Sequence, residues 1–368
     1  MGSILMAVAG CRAETAGNAS GGICCPVHRD KDFGAVNLGM KTEDFNASGF
    51  EFGDSCDVLF SNGYRLEDVP YYDGYYTRTN GMLICAYPGY EYPKISCDNG
   101  PSLWEASGLS EGDTVTVTLR EKGKYLDVQQ AMELVYSMER DDFGSDEVFA
   151  NFRALTGGAI AKDRFFRGAS PVDNRMSRAA TTDRLLKERG IRFVLDLADT
   201  EESLEGFRSK EGFSSGYFME LYGEHRVCLL GLTMDCRGRE FRTALAGGLR
   251  AMMKNDGPVY IHCLEGKDRT GFVCMLLEAL AGASVAELRE DYMKTYENYY
   301  GVTEASDPAR YRTILSLKFE DQLQDLTDLP DGADLGGTVL RDCARQYLLD
   351  SGMTEEEIDA LTVFLTGE

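Results

Sequence analysis

The chain has 368 residues, and 61 acidic against 38 basic residues give it a formal charge of -23. That balance argues against nucleic acid and anionic membrane as partners, and it leaves a polyanionic substrate dependent on a local basic pocket. At this length two domains are expected; apolar content is ordinary for a globular protein, and no apolar run is long enough to span a bilayer.

At the N-terminus, Ile4-Leu5-Met6-Ala7-Val8-Ala9-Gly10-Cys11 precedes a stretch rich in Ala, Gly, Asn and Ser. It resembles the end of a bacterial lipoprotein signal, which implies a lipid anchor at Cys11 and an extracytoplasmic, membrane-anchored location. The alternative is a disordered tail on a cytoplasmic protein. Residues 1–50 therefore read as a signal remnant, a linker and an irregular segment.

From about residue 51 short strands alternate with turns. Asp57-Val58-Leu59-Phe60, Met82-Leu83-Ile84-Cys85-Ala86 and Thr114-Val115-Thr116-Val117-Thr118-Leu119 are divided by turn clusters such as Ser61-Asn62-Gly63. The last alternates Thr and Val, as a strand with one wet face does. The expectation is a small antiparallel β domain over residues 51–122. Tyr71, Tyr72, Tyr75, Tyr76, Tyr87, Tyr90, Tyr92 and the only tryptophan, Trp104, cluster here. They fit the core and edge of a sheet, or an exposed surface for a ring-bearing ligand or a partner. Cys24, Cys25, Cys56, Cys85 and Cys97 can form bridges if the chain is exported. Cys24-Cys25-Pro26-Val27-His28 lacks a second ligand pair at zinc-site spacing, so neither a metal nor a cofactor is expected.

Asp127 to Tyr136 has helical spacing, and Glu139-Arg140-Asp141-Asp142 reads as a solvated connection. Residues 145–368 then alternate strand and helix patterns. Ile191 to Asp199 reads as a buried strand, Glu201 to Tyr222 as a polar insertion suited to part of a lid, and Arg226 to Leu232 as a further strand. A helix with Phe241, Leu245 and Leu249 leads to the apolar Pro258-Val259-Tyr260-Ile261. This order predicts an α/β domain with a central, mostly parallel sheet flanked by helices and a ligand at the carboxyl ends of its strands. Helical patterns near Asp291 to Tyr300, Tyr311 to Leu326, Val339 to Leu349 and Glu355 to Leu365 close the chain.

The stretch with specific chemistry is Ile261-His262-Cys263-Leu264-Glu265-Gly266-Lys267-Asp268-Arg269-Thr270-Gly271, a strand end, a tight loop and a helix start. A cysteine and an arginine six positions apart on such a loop can face one anion, while backbone N–H groups wrap it at the positive end of the helix. Helix and cations favour the Cys263 thiolate, and Arg269 offers a planar fork to two phosphoryl oxygens. The Thr270 hydroxyl can bond the thiolate or a water. Lys267 is followed by Asp268 instead of Ser or Thr, which excludes a nucleotide-binding P-loop.

His-Cys-x-x-Gly-Lys-Asp-Arg-Thr-Gly resembles the signature loop of the cysteine-dependent protein tyrosine phosphatase superfamily. It looks most like the bacterial tyrosine and lipid phosphatases of the atypical dual-specificity kind. Asn151-Phe152-Arg153 with Gly157-Gly158, then Arg164-Phe165-Phe166-Arg167-Gly168-Ala169-Ser170, resembles the same family's approach to the active site, and Glu290-Asp291-Tyr292-Met293 its post-loop helix.

The resemblance implies a cofactor-free phosphomonoesterase. Cys263 is its nucleophile, Arg269 and Thr270 act on the phosphoryl group, and His262 supports the loop. Leu264, Glu265, Gly266, Lys267 and Arg167 are expected to contact substrate. Asp235, Asp268 and Asp199 compete for the general acid, and Lys267 either binds a second phosphate or raises the local potential. Ala198 replaces the family's arginine, and Glu265 stands where phosphoinositide-preferring relatives carry a small or basic residue, so it should repel a heavily phosphorylated ring. Phosphotyrosine or a broad set of phosphomonoesters is the leading substrate class, with lipid or inositol phosphate as the alternative. A phosphate-recognition protein without turnover and a sulfur-transfer enzyme are the readings from other classes.

Overall fold

The structure, a computed structural model, describes residues 22–30, 34–330 and 332–367. Cys11 and the lipoprotein-like stretch lie outside them. Two compact units divide the chain, Met1–Glu133 and Leu134–Glu368. Among the described residues no helix is long and apolar enough to cross a membrane.

In the first unit, Val115 and Val117 are fully buried while Thr116 and Thr118 stay partly exposed, as the Thr-Val alternation requires. Their strand, β7 (Thr114–Glu121), belongs to a closed barrel with β1 (Ile23–Arg29), β2 (Val36–Leu38), β3 (Ser55–Phe60), β4 (Arg65–Tyr72), β5 (Met82–Cys85) and β6 (Lys94–Cys97). The order is β1-β2-β6-β5-β4-β3-β7, with β1 returning to β7.

Two expectations are corrected here. The unit is a mixed barrel, because β4 and β5 run parallel, and it starts at Ile23, inside the stretch read as linker. Strand β1 buries only Cys25 and Val27, and its β7 partners lie some ninety positions away in sequence, so it carried little periodic signal. Tyr71 and Tyr72 are core residues and Trp104 is 8% exposed, whereas Tyr87 and Tyr92 face solvent. Cys25, Cys56, Cys85 and Cys97 carry free thiols, and His28 pairs with Glu111 at 3.1 Å.

The second unit holds a five-stranded sheet of β8 (Arg153–Ala154), β9 (Phe165–Gly168), β10 (Phe193–Asp196), β11 (Val227–Leu229) and β12 (Val259–His262), ordered β11-β10-β12-β9-β8. Its pairings are parallel except at the β8 edge. Strands β9, β10 and β12 are buried along their whole length, as strands covered on both faces are. The helix Arg239–Met252 buries Phe241, Leu245, Leu249 and Met252 on one stripe against β10 and β11. It packs closely because of Gly248, where a Cβ would lie 2.8 Å from Leu195 Cδ1.

The helix Asp268–Leu280 touches β9 and β12 and is buried from Thr270 onward, which explains its all-round apolar pattern. The lid expectation for 201–222 is corrected. That stretch forms helices Glu201–Arg208 and Gly216–Gly223, whose Leu204, Phe218 and Leu221 enter a buried cluster. Buried Asp183 accepts the backbone N–H groups of Tyr217 (3.0 Å) and Phe218 (2.7 Å) and ties the second helix down.

Candidate active site

Strand β12 ends at His262 and the following helix starts at Asp268, so five residues make the turn between them. Gly266 adopts φ +67°, and a Cβ there would sit 2.1 Å from the Gly168 carbonyl oxygen, so only glycine fits. The loop carbonyls are engaged one after another by their surroundings. His262 Nδ1 lies 3.1 Å from Cys263 O, and Ser170 N–H donates to Leu264 O at 2.9 Å. Tyr299 OH donates to Glu265 O at 2.7 Å, Arg167 Nη2 to Gly266 O at 2.8 Å, and Gly271 N–H to Lys267 O at 2.7 Å. A planar trans peptide turns its N–H away from its carbonyl. The N–H groups of residues 264–268 therefore face the concave side, where the helix N-terminus adds its positive end.

Cys263 begins this turn and is 3% exposed. Arg269 lies in the first helical turn, and its Nη1 donates to Leu232 O at 2.9 Å, which fixes the guanidinium while leaving further N–H groups for an oxyanion. Its Nε is buried with no protein acceptor, and so is the hydroxyl of fully buried Thr270.

Lys267 and Glu265 correct the expected electrostatics. Lys267 Nζ is 2.7 Å from Glu265 Oε2 and 3.8 Å from Asp268 Oδ2. Burial would push the ammonium down, but Asp268, Tyr300 and Glu265 around it more than reverse this. Glu265 is thus neutralised inside the loop and does not stand as an unpaired repelling charge.

The candidate acids fall in different places. Asp268 is the first helical residue with a side chain 39% exposed, and Asp235 is exposed in the turn before helix Arg239–Met252. Burial pushes the Cys236 thiol up, and Asp325, Asp235 and Asp268 add to this, so both candidates lie near that residue. Asp199 lies in a buried cluster with Asp196 and His262. Burial and the neighbouring Asp196 push its carboxyl up to about 7. Burial raises Asp196 to about 6, against two N–H donors from Ala198 and Asp199. Burial also lowers the His262 imidazole to about 4, so the ring is neutral at physiological pH beside an Asp196 oxygen 3.6 Å away.

Arg167 does not face substrate, which corrects that expectation. Its side chain is 1% exposed, and it braces the loop from behind, between Asp291 and Gly266 O. Asn151, whose Nδ2 reaches Gly266 O at 3.3 Å, Arg153 and Asp291 share this task; the family resemblance placed them near the site without a role, and Tyr299 was not singled out. Their signal was chemical. Two arginines on a short apolar hairpin demand a buried acid, and Asp291 interrupts the buried face of its helix.

A family model described as "Tyrosine phosphatase family" matches residues 147–366, more than half of the chain. A tyrosine-protein phosphatase from Nostoc commune is 33% identical over 242 residues, covering 60% of this chain and 81% of that protein. Among solved structures, an uncharacterized conserved protein from Thermotoga maritima is 15% identical, with a TM-score of 0.23, 28% of this chain covered and 40% of that one. The core catalytic domain of the PP-IP phosphatase SIW14 from S. cerevisiae, in complex with citrate, is also 15% identical, with a TM-score of 0.26 and coverages of 48% and 91%. At these TM-scores the assignment rests on the sequence matches, and by them the chain belongs to the tyrosine phosphatase family, within the cysteine-dependent superfamily.

Proposed function

We propose that this phosphatase hydrolyses phosphotyrosine-type monoesters through a thiophosphoryl intermediate on Cys263. The observation that supports the reading is the engagement of carbonyls 263–267 by their surroundings, which leaves the N–H groups that follow them free to hold an anion between Cys263 and Arg269. The thiolate attacks phosphorus in line; an S–P bond forms as the P–O bond to the leaving group breaks. The N–H groups and Arg269 hold the phosphoryl oxygens throughout, a stabilisation that needs no rearrangement during the reaction. Water then attacks phosphorus, releasing phosphate and the thiolate.

The leaving oxygen departs opposite the sulfur, at the mouth of the loop. Asp268, half-exposed beside Arg269, is the proton donor in this account and the base that takes the water's proton in the second step. Asp235, which also lies near Cys236, is the second candidate. Buried Asp199 sits with Asp196 and His262.

Half-buried Tyr136 and Tyr300, ring centroids 5.7 Å apart, offer aromatic surface that suits tyrosine as the leaving group. Burial raises the Tyr300 hydroxyl to about 12, and Lys267 and Glu265 are among its charged neighbours. The name of the Nostoc commune relative agrees. Because Lys267 is balanced by Glu265, no free cation waits there for a second phosphate, which weighs against inositol polyphosphates. A lipid anchor at Cys11 belongs to the same proposal, and palmitate labelling lost in Cys11→Ser tests it.

The deciding experiment measures phosphate release from phosphotyrosine peptides, phosphoinositides and inositol phosphates, with wild type and Cys263→Ser. Preference for the peptides, abolished by the substitution, supports the reading. A preference for phosphoinositides overturns the substrate class, and an inactive wild type overturns turnover itself.

A further inference from the structure

We propose that Asp291 is a positioning residue for the catalytic loop: one buried carboxylate anchors two arginines whose far ends fix the Gly266 carbonyl, and with it the Lys267 N–H that faces the phosphoryl group. The proposal rests on the reading of this loop as the phosphate cradle.

Asp291 projects from helix Val285–Tyr300. Its Oδ1 accepts from Arg153 Nε at 2.7 Å, its Oδ2 from Arg167 Nη1 at 2.5 Å, and its main-chain carbonyl from Arg153 Nη2 at 2.7 Å. From there two arms run to the same atom. Arg167 Nη2 donates to Gly266 O at 2.8 Å. Arg153 Nη1 donates to Asn151 Oδ1 at 2.7 Å, and Asn151 Nδ2 donates onward to Gly266 O at 3.3 Å. Asn151 is held at φ +51°, a left-handed conformation that an asparagine tolerates, and Asn298 Nδ2 steadies it at 3.0 Å. Neither arginine is available to substrate, with side chains 1% and 14% exposed for Arg167 and Arg153.

Two buried guanidiniums side by side repel each other, so their joint placement depends on the charge between them. Burial pushes the Asp291 carboxyl up, and Arg153 and Arg167 more than reverse this, holding it below the ordinary carboxylate range. The neighbouring acid cannot take its place. Burial, then Asp291 itself, raises Glu278 to about 8, and Glu278 already accepts Gly157 N–H at 3.0 Å. The nearby Cys274 thiol is pushed by burial to about 12. At neutral pH Asp291 is therefore the ionised partner of both arginines.

The consequence for chemistry lies in one peptide. Gly266 has no side chain to hold it, and its carbonyl is the point on which both arms converge. With that carbonyl released, the Gly266–Lys267 plane can rotate, and the Lys267 N–H loses its aim at the equatorial oxygens and the thiolate. Misaiming one such donor costs about 10- to 10²-fold in rate.

The test compares wild type with the near-isosteric Asp291→Asn, and with Asn151→Ala, Arg167→Lys and the Asp291→Asn/Asn151→Ala pair. The readouts are kcat and KM on p-nitrophenyl phosphate, thermal midpoint, and the pH profile of Cys263 alkylation by iodoacetamide. The expected result for Asp291→Asn is a fall of about 10- to 10²-fold, mainly in kcat, and an alkylation profile moved to higher pH because the thiolate loses a donor. Asn151→Ala moves both in the same direction, and the pair costs less than the product of the single effects. An Asp291→Asn protein with lowered thermal midpoint but wild-type kcat and alkylation profile overturns the proposal. If Asp291→Asn does not fold, an unchanged alkylation profile in both Asn151→Ala and Arg167→Lys overturns it. Alkylation needs no turnover, so a wild type without hydrolysis would refute the phosphatase mechanism while the profile still decides the positioning claim.

Discussion

The space where a side chain at position 266 would begin is already filled by the Gly168 carbonyl, 2.1 Å from an ideal Cβ. The end of β9 and the crest of the catalytic loop are thus in backbone contact, and the loop takes its curvature from a neighbouring strand. Gly266→Ala meets both a clash and a positive φ. It should lower the thermal midpoint and cut kcat/KM by at least about 10²-fold, because the loop must lift off β9. Calorimetry with steady-state kinetics checks this, and a fully active, stable variant would show that the crest tolerates displacement.

Proton donation is separable from binding by leaving-group chemistry. Removing the acid should cost about 10²- to 10⁴-fold on phenyl phosphate, whose leaving group needs a proton, and far less on p-nitrophenyl phosphate. Asp268→Asn is expected to show this split. If Asp235→Asn shows it and Asp268→Asn does not, the proton comes from Asp235.

The Asp196–Asp199 pair predicts a pH dependence of stability. A carboxyl near 7 in the native state, against about 4 in the unfolded chain, holds its proton more tightly when folded. Its contribution is complete below about pH 4 and lost as pH rises through about 7. Asp199→Asn abolishes that loss, so its thermal midpoint should gain on wild type as pH is raised from about 5 to about 8. Parallel midpoint curves for the two proteins would contradict the shift.

Glu265 is expected to govern selectivity through Lys267. Glu265→Gln leaves the ammonium, now 2.7 Å from a carboxylate, without its nearest counter-charge. Activity on doubly phosphorylated inositol rings should rise several-fold, about 1 kcal/mol of transition-state binding, with little change on a simple monoester. Competition assays between the two substrate types measure the ratio, and an unchanged ratio would show that Lys267 does not reach the second phosphate.

Much of the site was legible because its chemistry is local. Cys263, Gly266, Arg269 and Thr270 lie within eight positions, and the spacing that brings cysteine and arginine onto one anion is set by the loop itself. What the sequence hid is what holds the loop. Asn151, Arg167 and Tyr299 act on backbone carbonyls across separations of 34 to 115 residues, and Asp291 reaches the loop only through its two arginines, a relation without periodicity. Arg167 shows the difference most sharply, since a basic residue beside a phosphate site suggests a substrate contact until its burial is known. The barrel start was missed for a related reason: β1 is half wet and finds its partners only when β7 closes the ring. For Glu265 the sequence shows the sign of the charge and not the distance of the lysine that balances it.

The covalent intermediate on Cys263 is the central step of the mechanism. Rapid quenching of the protein with a phosphotyrosine peptide, followed by mass analysis of the Cys263 region, should find one phosphoryl group on the sulfur, absent in Cys263→Ser together with turnover. A phosphoryl group on another residue, or turnover that survives Cys263→Ser, would contradict it.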